Sequence, residues 1–141
     1  MKIYLDVNIF IDVQRKRRGW EDSFMVIKSV MDGRCEGYIS ALTPVIIYFL
    51  RRKIFPEDQA RKETLDLTKG FKIISLTDEI LAKAFEEKRI DGLEDSIQFH
   101  SAKGYADTFI TRNKSDYRMV FEEIEVLSPE EFLREYLKEL K

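Results

Sequence analysis

The sequence predicts an α/β protein: a single-domain α/β/α sandwich around a central parallel sheet, spanning residues 1–141. Three observations predict it. Short apolar runs of strand length alternate with longer segments of helical periodicity. No low-complexity linker or repeat interrupts that rhythm. The chain has 141 residues, 44% of them hydrophobic, which suits one ordinary domain with a real core. Parallel strands need crossover connections, so the helices are expected on both faces of the sheet.

Residues 2–6 are the first strand. Residues 20–32 form a helix with Phe24, Ile27 and Met31 on one face. Gly33 and Gly37 bracket a turn into a short strand at 38–40. Thr43 followed by Pro44 reads as a cap with proline in the first turn. The helix it opens, "VIIYFL", is apolar all round and is expected to be deeply buried. Pro56 begins a helix to about Lys69, and "FKIIS" at 71–75 is the next strand. Thr77, with Asp78 and Glu79 behind it, caps a helix to about Lys88. "LEDSIQFHSAK" is a helix closed by Gly104, "DTFIT" at 107–111 a strand, and "IEVL" at 124–127 the last strand. Ser128-Pro129-Glu130-Glu131 is a capping box that opens a C-terminal helix.

Composition excludes several functions. No run approaches the roughly 18–20 apolar residues of a membrane span. "MKIYLDV" has neither the apolar region nor the cleavage site of a signal peptide, so a cytoplasmic location is expected. Cys35 and His100 are each the sole residue of their type. A disulfide framework and a zinc site of several Cys or His ligands are therefore excluded. A metal here must be held by oxygen, which points to Mg2+ or Mn2+. His100 lies within a helix without a nucleophile motif beside it, about 140° around the axis from Asp95 at about 100° per residue. It is expected to be structural. The net charge of −2 hides two basic clusters, at 15–18 and 51–53. These are either solvated helix ends or phosphate contacts.

The apolar run at the start ends in "LDVNIFID". Asp6 there either caps a following helix or supplies the first ligand of a metal site. In a parallel α/β sheet, ligands gather at the carboxyl ends of the strands. Asp6 ends the first strand, and Thr111 to Asp116 follow the strand at 107–111, on the same edge. Asp95 opens a helix, where an acid also favours the dipole, and Asp116 could be an ordinary turn aspartate.

Taken in order, "YLDVNIFID", "YISALTPVIIYFLRR", "LEDSIQFHSA" and "FITRNKSDY" resemble the PIN-domain family, metal-dependent ribonucleases that include VapC-type toxins of toxin–antitoxin pairs. The resemblance runs from residue 2 to about 128. No single motif is specific; the four in order are. It implies that Asp6, Asp95 and Asp116 are catalytic and hold one or two Mg2+ or Mn2+ ions, with Asn8, Thr111 and Asn113 on the substrate side. It also implies an RNA substrate, an antitoxin partner and a homodimer. The physical reason is direct: crowded carboxylates cannot all stay ionised without a cation, and a hard dication prefers oxygen ligands.

The departure is Ile46, where the family usually carries glutamate. No acid lies between Ala41 and Pro56. Glu94 is near enough in sequence to substitute, but neighbours on a helix point about 100° apart. Loss of one carboxylate weakens metal binding, the second ion most of all. Two functions remain open: a ribonuclease with a weakened site, or a PIN-type protein that binds RNA or a partner with little or no catalysis. An Asp-x-Asp phosphotransferase is a third reading, and it fails at Asn8.

Overall fold

The computed structural model describes residues 1–137. Five parallel strands run β1 (Lys2–Leu5), β2 (Glu36–Ser40), β3 (Lys72–Ile74), β4 (Thr108–Ile110) and β5 (Glu125–Leu127). Their spatial order is β3-β2-β1-β4-β5. The chain therefore steps outward from β1 in one direction, then returns to build β4 and β5 on its other side. The switch in direction falls between β1 and β4, paired in parallel with Leu5 opposite Ile110. At such a switch the connections diverge and leave a crevice above the strand ends.

Side chains alternate across each strand, which splits the core in two. Ile3, Leu5, Ile39, Ile110 and Leu127 face one layer, with Ile9, Phe10, Val26 and Ile47 from the helices α1 (Val7–Arg15), α2 (Trp20–Met31) and α3 (Leu42–Arg52). Tyr4, Tyr38, Ile74, Phe109 and Val126 face the other layer, beneath Phe99 and Ala102. Those two residues belong to α6 (Leu93–Lys103), joined to β3 by α5 (Asp78–Glu86). The helix α4 (Glu57–Thr68) packs on α3. A 3-10 helix, Lys114–Val120, connects β4 to β5, and α7 (Pro129–Phe132) follows. The architecture is the expected α/β/α sandwich around a parallel sheet. Among the described residues, no helix is long and apolar enough to cross a membrane.

Local signals mark several boundaries. Thr77 accepts from the Ile80 amide, and Ser128 and Glu131 close a reciprocal capping box with Pro129 in the first turn. The C-terminal helix widens into a π-type turn at Leu133–Leu137, and any continuation lies outside the described residues. Other expectations fail. α3 starts at Leu42, with Ala41 at its N-cap and no capping bond from Thr43. Ser40 does that work instead, its hydroxyl accepting from the Leu42 amide at 3.0 Å.

Nor is α3 deeply buried. Thr43 and Ile47 are, but Val45 and Phe49 are 60% and 63% exposed. An apolar helix surface shows only what could be covered, and α3 packs on α1, α4 and β2 from one side. In α2 the buried stripe is Ser23, Val26, Ile27 and Val30, while Phe24 and Met31 face solvent. Gly37, read as part of a turn, lies within β2. A Cβ there would come within 2.6 Å of Val30 Cγ1, so the missing side chain lets α2 lie on the sheet.

The two basic clusters sit at the ends of α1 and α3 and are partly engaged within the chain. Arg17 pairs with Asp12, Arg51 with Glu63 and Arg52 with Glu57. Lys16 and Lys53 lie over the rings of Trp20 and Phe49.

Candidate active site

Asp6 follows β1 at the switch point and is 1% exposed. It is the N-cap of α1, Oδ1 accepting from the Asn8 amide at 3.2 Å. The capping and site readings thus fall on the same side chain. Gln98 Nε2 donates to Oδ1 at 3.1 Å, and Thr111 Oγ1 donates to Oδ2 at 2.7 Å. All three donors are neutral. Burial pushes the Asp6 carboxyl up; the hydrogen bonds from Thr111, Asn8 and Gln98 pull it down, and the charge of Glu94 raises it again.

Asp95 sits in the first turn of α6 and is partly buried. Burial, followed by the charges of Asp6, Asp116 and Asp91, pushes its carboxyl up to about 6. The Tyr117 hydroxyl, on a side chain 1% exposed, stands beside it but completes no hydrogen bond of good geometry. Its ring packs on Phe109 at 4.6 Å, and Phe109 stacks on Tyr4 at 5.1 Å.

Because the Asp95 carboxyl titrates near 6 against an ordinary 3.8, the folded protein binds the proton more tightly than the unfolded chain in that interval. Stability then falls as pH rises from about 4 to 6, and the penalty is complete above it. Asp95→Asn is expected to stabilise the metal-free protein at pH 8 by about 1–2 kcal/mol, allowing for partial solvent screening. At pH 4 the gain should vanish. Equal melting temperatures of mutant and wild type at both pH values would show a solvated, unburdened Asp95.

Thr111 is fully buried; its hydroxyl donates to Asp6 and accepts from the Asn113 amide at 3.0 Å. Asn113 is exposed at the N-cap of the 3-10 helix, and Asp116 is exposed in its first turn. Asn8 is half-buried. The fold thus joins Asp6 to Thr111 directly and brings Asp95, Glu94 and Asp116 within electrostatic reach. Among the described residues, however, no three acidic, histidine or cysteine side chains close on a common point. Ile46 packs half-buried against the α1–α3 core layer.

His100 faces elsewhere. Its Nε2 lies 2.9 Å from Glu87 Oε1, and Arg89 holds Glu87 well below the usual carboxylate range. His100→Ala should leave any metal-dependent activity intact. Complete loss in a folded mutant would contradict this assignment.

Sequence reasoning passed over Gln98 and Tyr117. The available signal was their spacing: Gln98 lies one helical turn beyond Asp95, and Tyr117 directly follows Asp116.

No family model and no curated protein matches the sequence. Solved structures do match in fold. VapBC2 from Rickettsia felis, bound to a DNA fragment from their promoter, superposes with a TM-score of 0.67 at 15% identity, covering 91% of this chain and 98% of that one. A toxin–antitoxin complex from Klebsiella pneumoniae gives 0.66 at 21% identity, covering 90% and 97%. VapBC-1 from nontypeable Haemophilus influenzae gives 0.67 at 15%, covering 92% and 99%. At these identities the likeness is one of fold, and the fold is the PIN-like α/β/α sandwich that the four sequence anchors imply.

Proposed function

We propose that this protein is a Mg2+- or Mn2+-dependent ribonuclease of the PIN type and the toxin of a toxin–antitoxin pair. The observation that carries the reading is Asp6: a buried carboxylate at the switch point, bonded among the described residues to three neutral donors, pushed up by the charge of Glu94 and itself pushing up Asp95. Such a group needs a cation or a proton, and the surrounding donors are hard oxygens suited to Mg2+ or Mn2+. Asp6, Asp95 and Asp116 would hold the ion, which supplies Lewis-acid polarisation of a phosphodiester when bound. Asn8 and Asn113 border the site, while Thr111 orients Asp6. The similarity in fold to toxin–antitoxin complexes supports an antitoxin protein as partner. The exposed pair Val45 and Phe49 supports a homodimer through α3.

A second reading is favoured by Ile46 and by the lack of a closed three-acid cluster among the described residues: a PIN-fold module that binds RNA or a partner with little or no turnover. Incubating a mixed pool of structured RNA with Mn2+ separates the two. The ribonuclease reading requires cleavage that chelator abolishes and that Asp6→Asn reduces to background. RNA retention without cleavage, unchanged in Asp6→Asn, supports the binding module instead.

A further inference from the structure

Gln98 is buried at 1%, on the face of α6 that also carries Asp95, one turn away. Its amide orientation is forced. Oε1 lies 2.9 Å from the Val7 amide, a group that can only donate, and 3.2 Å from the Tyr4 hydroxyl. The Tyr4 oxygen itself accepts from the Ser40 amide at 3.2 Å, so its proton is free to go to Gln98. With both contacts at Oε1, the NH2 group must face Asp6, where it donates to Oδ1 at 3.1 Å. The amide thus ties β1, β2 and α1 to the carboxylate through one side chain.

That arrangement has a consequence for Asp6. A carboxylate offers about four acceptor positions, two on each oxygen. Oδ1 uses its share on Asn8 N and Gln98 Nε2; Oδ2 uses one on Thr111 Oγ1. A single position remains, on Oδ2.

We infer that Gln98 is a positioning residue that seals Oδ1 of Asp6, leaves Oδ2 as its sole coordinating atom, and limits the site to one divalent cation. This rests on the metal-dependent reading above and goes beyond it. A carboxylate that bridges two ions needs two free acceptor positions, one on each oxygen or both on one oxygen, and the three donors on Asp6 leave a single position. Ile46 acts in the same direction, because the helix that faces the core at that point offers no second carboxylate. Ligands of a metal are oriented by such outer partners, and losing one typically costs 10–100-fold in affinity.

The test is Mn2+ titration of the intact protein, followed by calorimetry and electron paramagnetic resonance. Wild type should bind one ion with the signal of an isolated Mn2+. Two ions with an exchange-coupled signal would overturn the inference and leave the metal-dependent reading standing; no binding at all would remove both. Gln98→Met keeps the volume but removes the donor, and should weaken Mn2+ binding by about 10–100-fold. His100→Ala changes the same helix where it faces Glu87 and not Asp6, and should bind Mn2+ as wild type does. Equal affinity in Gln98→Met and wild type, or equal losses in the two variants, would reduce Gln98 to packing. Should Gln98→Met fail to fold, the stoichiometry and resonance of the wild type still decide the one-ion claim.

Discussion

Arg112→Met is expected to cost about 2–4 kcal/mol of stability, somewhat less than removing one partner of a fully buried ion pair, because the Arg112 side chain is 26% exposed. Arg112 follows Thr111 directly and reaches back to the α1–α2 turn. Its Nε lies 3.0 Å from Asp12 Oδ2, Nη2 donates to Arg18 O at 2.8 Å, and Nη1 donates to Gly19 O at 3.1 Å and Glu130 Oε1 at 3.2 Å. Asp12 is 4% exposed. Burial already pushes its carboxyl up, against the pull of Arg112 and Arg17, so removing the guanidinium leaves a buried charge with only the more distant Arg17, at 3.7 Å, beside it among the described residues. The turn is built around the same group. Gly19 has φ +86°, and a Cβ there would meet Arg112 Nη1 at 2.5 Å. Urea unfolding of Arg112→Met, Asp12→Asn and the double mutant measures the effect. The double mutant should lose less than the two single losses added together, since the charges left behind, on Arg17 and Glu130, are exposed to water. A loss below about 1 kcal/mol in Arg112→Met would place the pair among exposed ones.

The second large effect concerns Ile46→Glu. In metal-free protein the new carboxylate enters a half-buried position against the α1–α3 core layer, on a molecule whose Asp6 and Asp95 already suffer from burial and mutual repulsion. A cost of about 2–4 kcal/mol follows, less than for a fully buried charge because Ile46 is partly exposed. With millimolar Mn2+ the deficit should shrink, because a ligand that binds only the folded state stabilises it in proportion to its affinity. The measurement is melting temperature of wild type and mutant, each with chelator and with Mn2+. If Mn2+ stabilises the mutant no more than the wild type, position 46 is ordinary core and the glutamate of the resemblance belongs elsewhere.

The two results would also separate fold from site. Arg112 holds the α1–α2 turn and the start of α7 against the residue beside Thr111, whereas Ile46 packs on the α1–α3 core layer and is where the resemblance expects a glutamate. A metal response preserved in a weakened Arg112→Met would show that Asp6 keeps its geometry through Gln98 and Thr111 alone.

The sequence by itself determined the features that depend on neighbours along the chain. The strand positions, the limits of α6, the Thr77 cap and the Ser128–Glu131 box are local patterns of period and hydrogen-bonding side chains, and they occur where those patterns lie. Asp6 and the Thr111–Asp116 segment could be placed on one edge because the carboxyl ends of parallel strands share it, whereas Asp95 was named only through the resemblance. Tertiary structure decided the rest. Periodicity shows that α3 is apolar on every side, but whether Val45 and Phe49 are covered depends on what packs there. The stripe that α2 buries depends on how closely Gly37 lets it approach the sheet. Gln98 and Asp6 are 92 residues apart in sequence, and neither residue alone reveals the other. The amide became part of the site only when Tyr4 and Val7 took its oxygen, because a buried polar group must find partners and the fold chooses which ones.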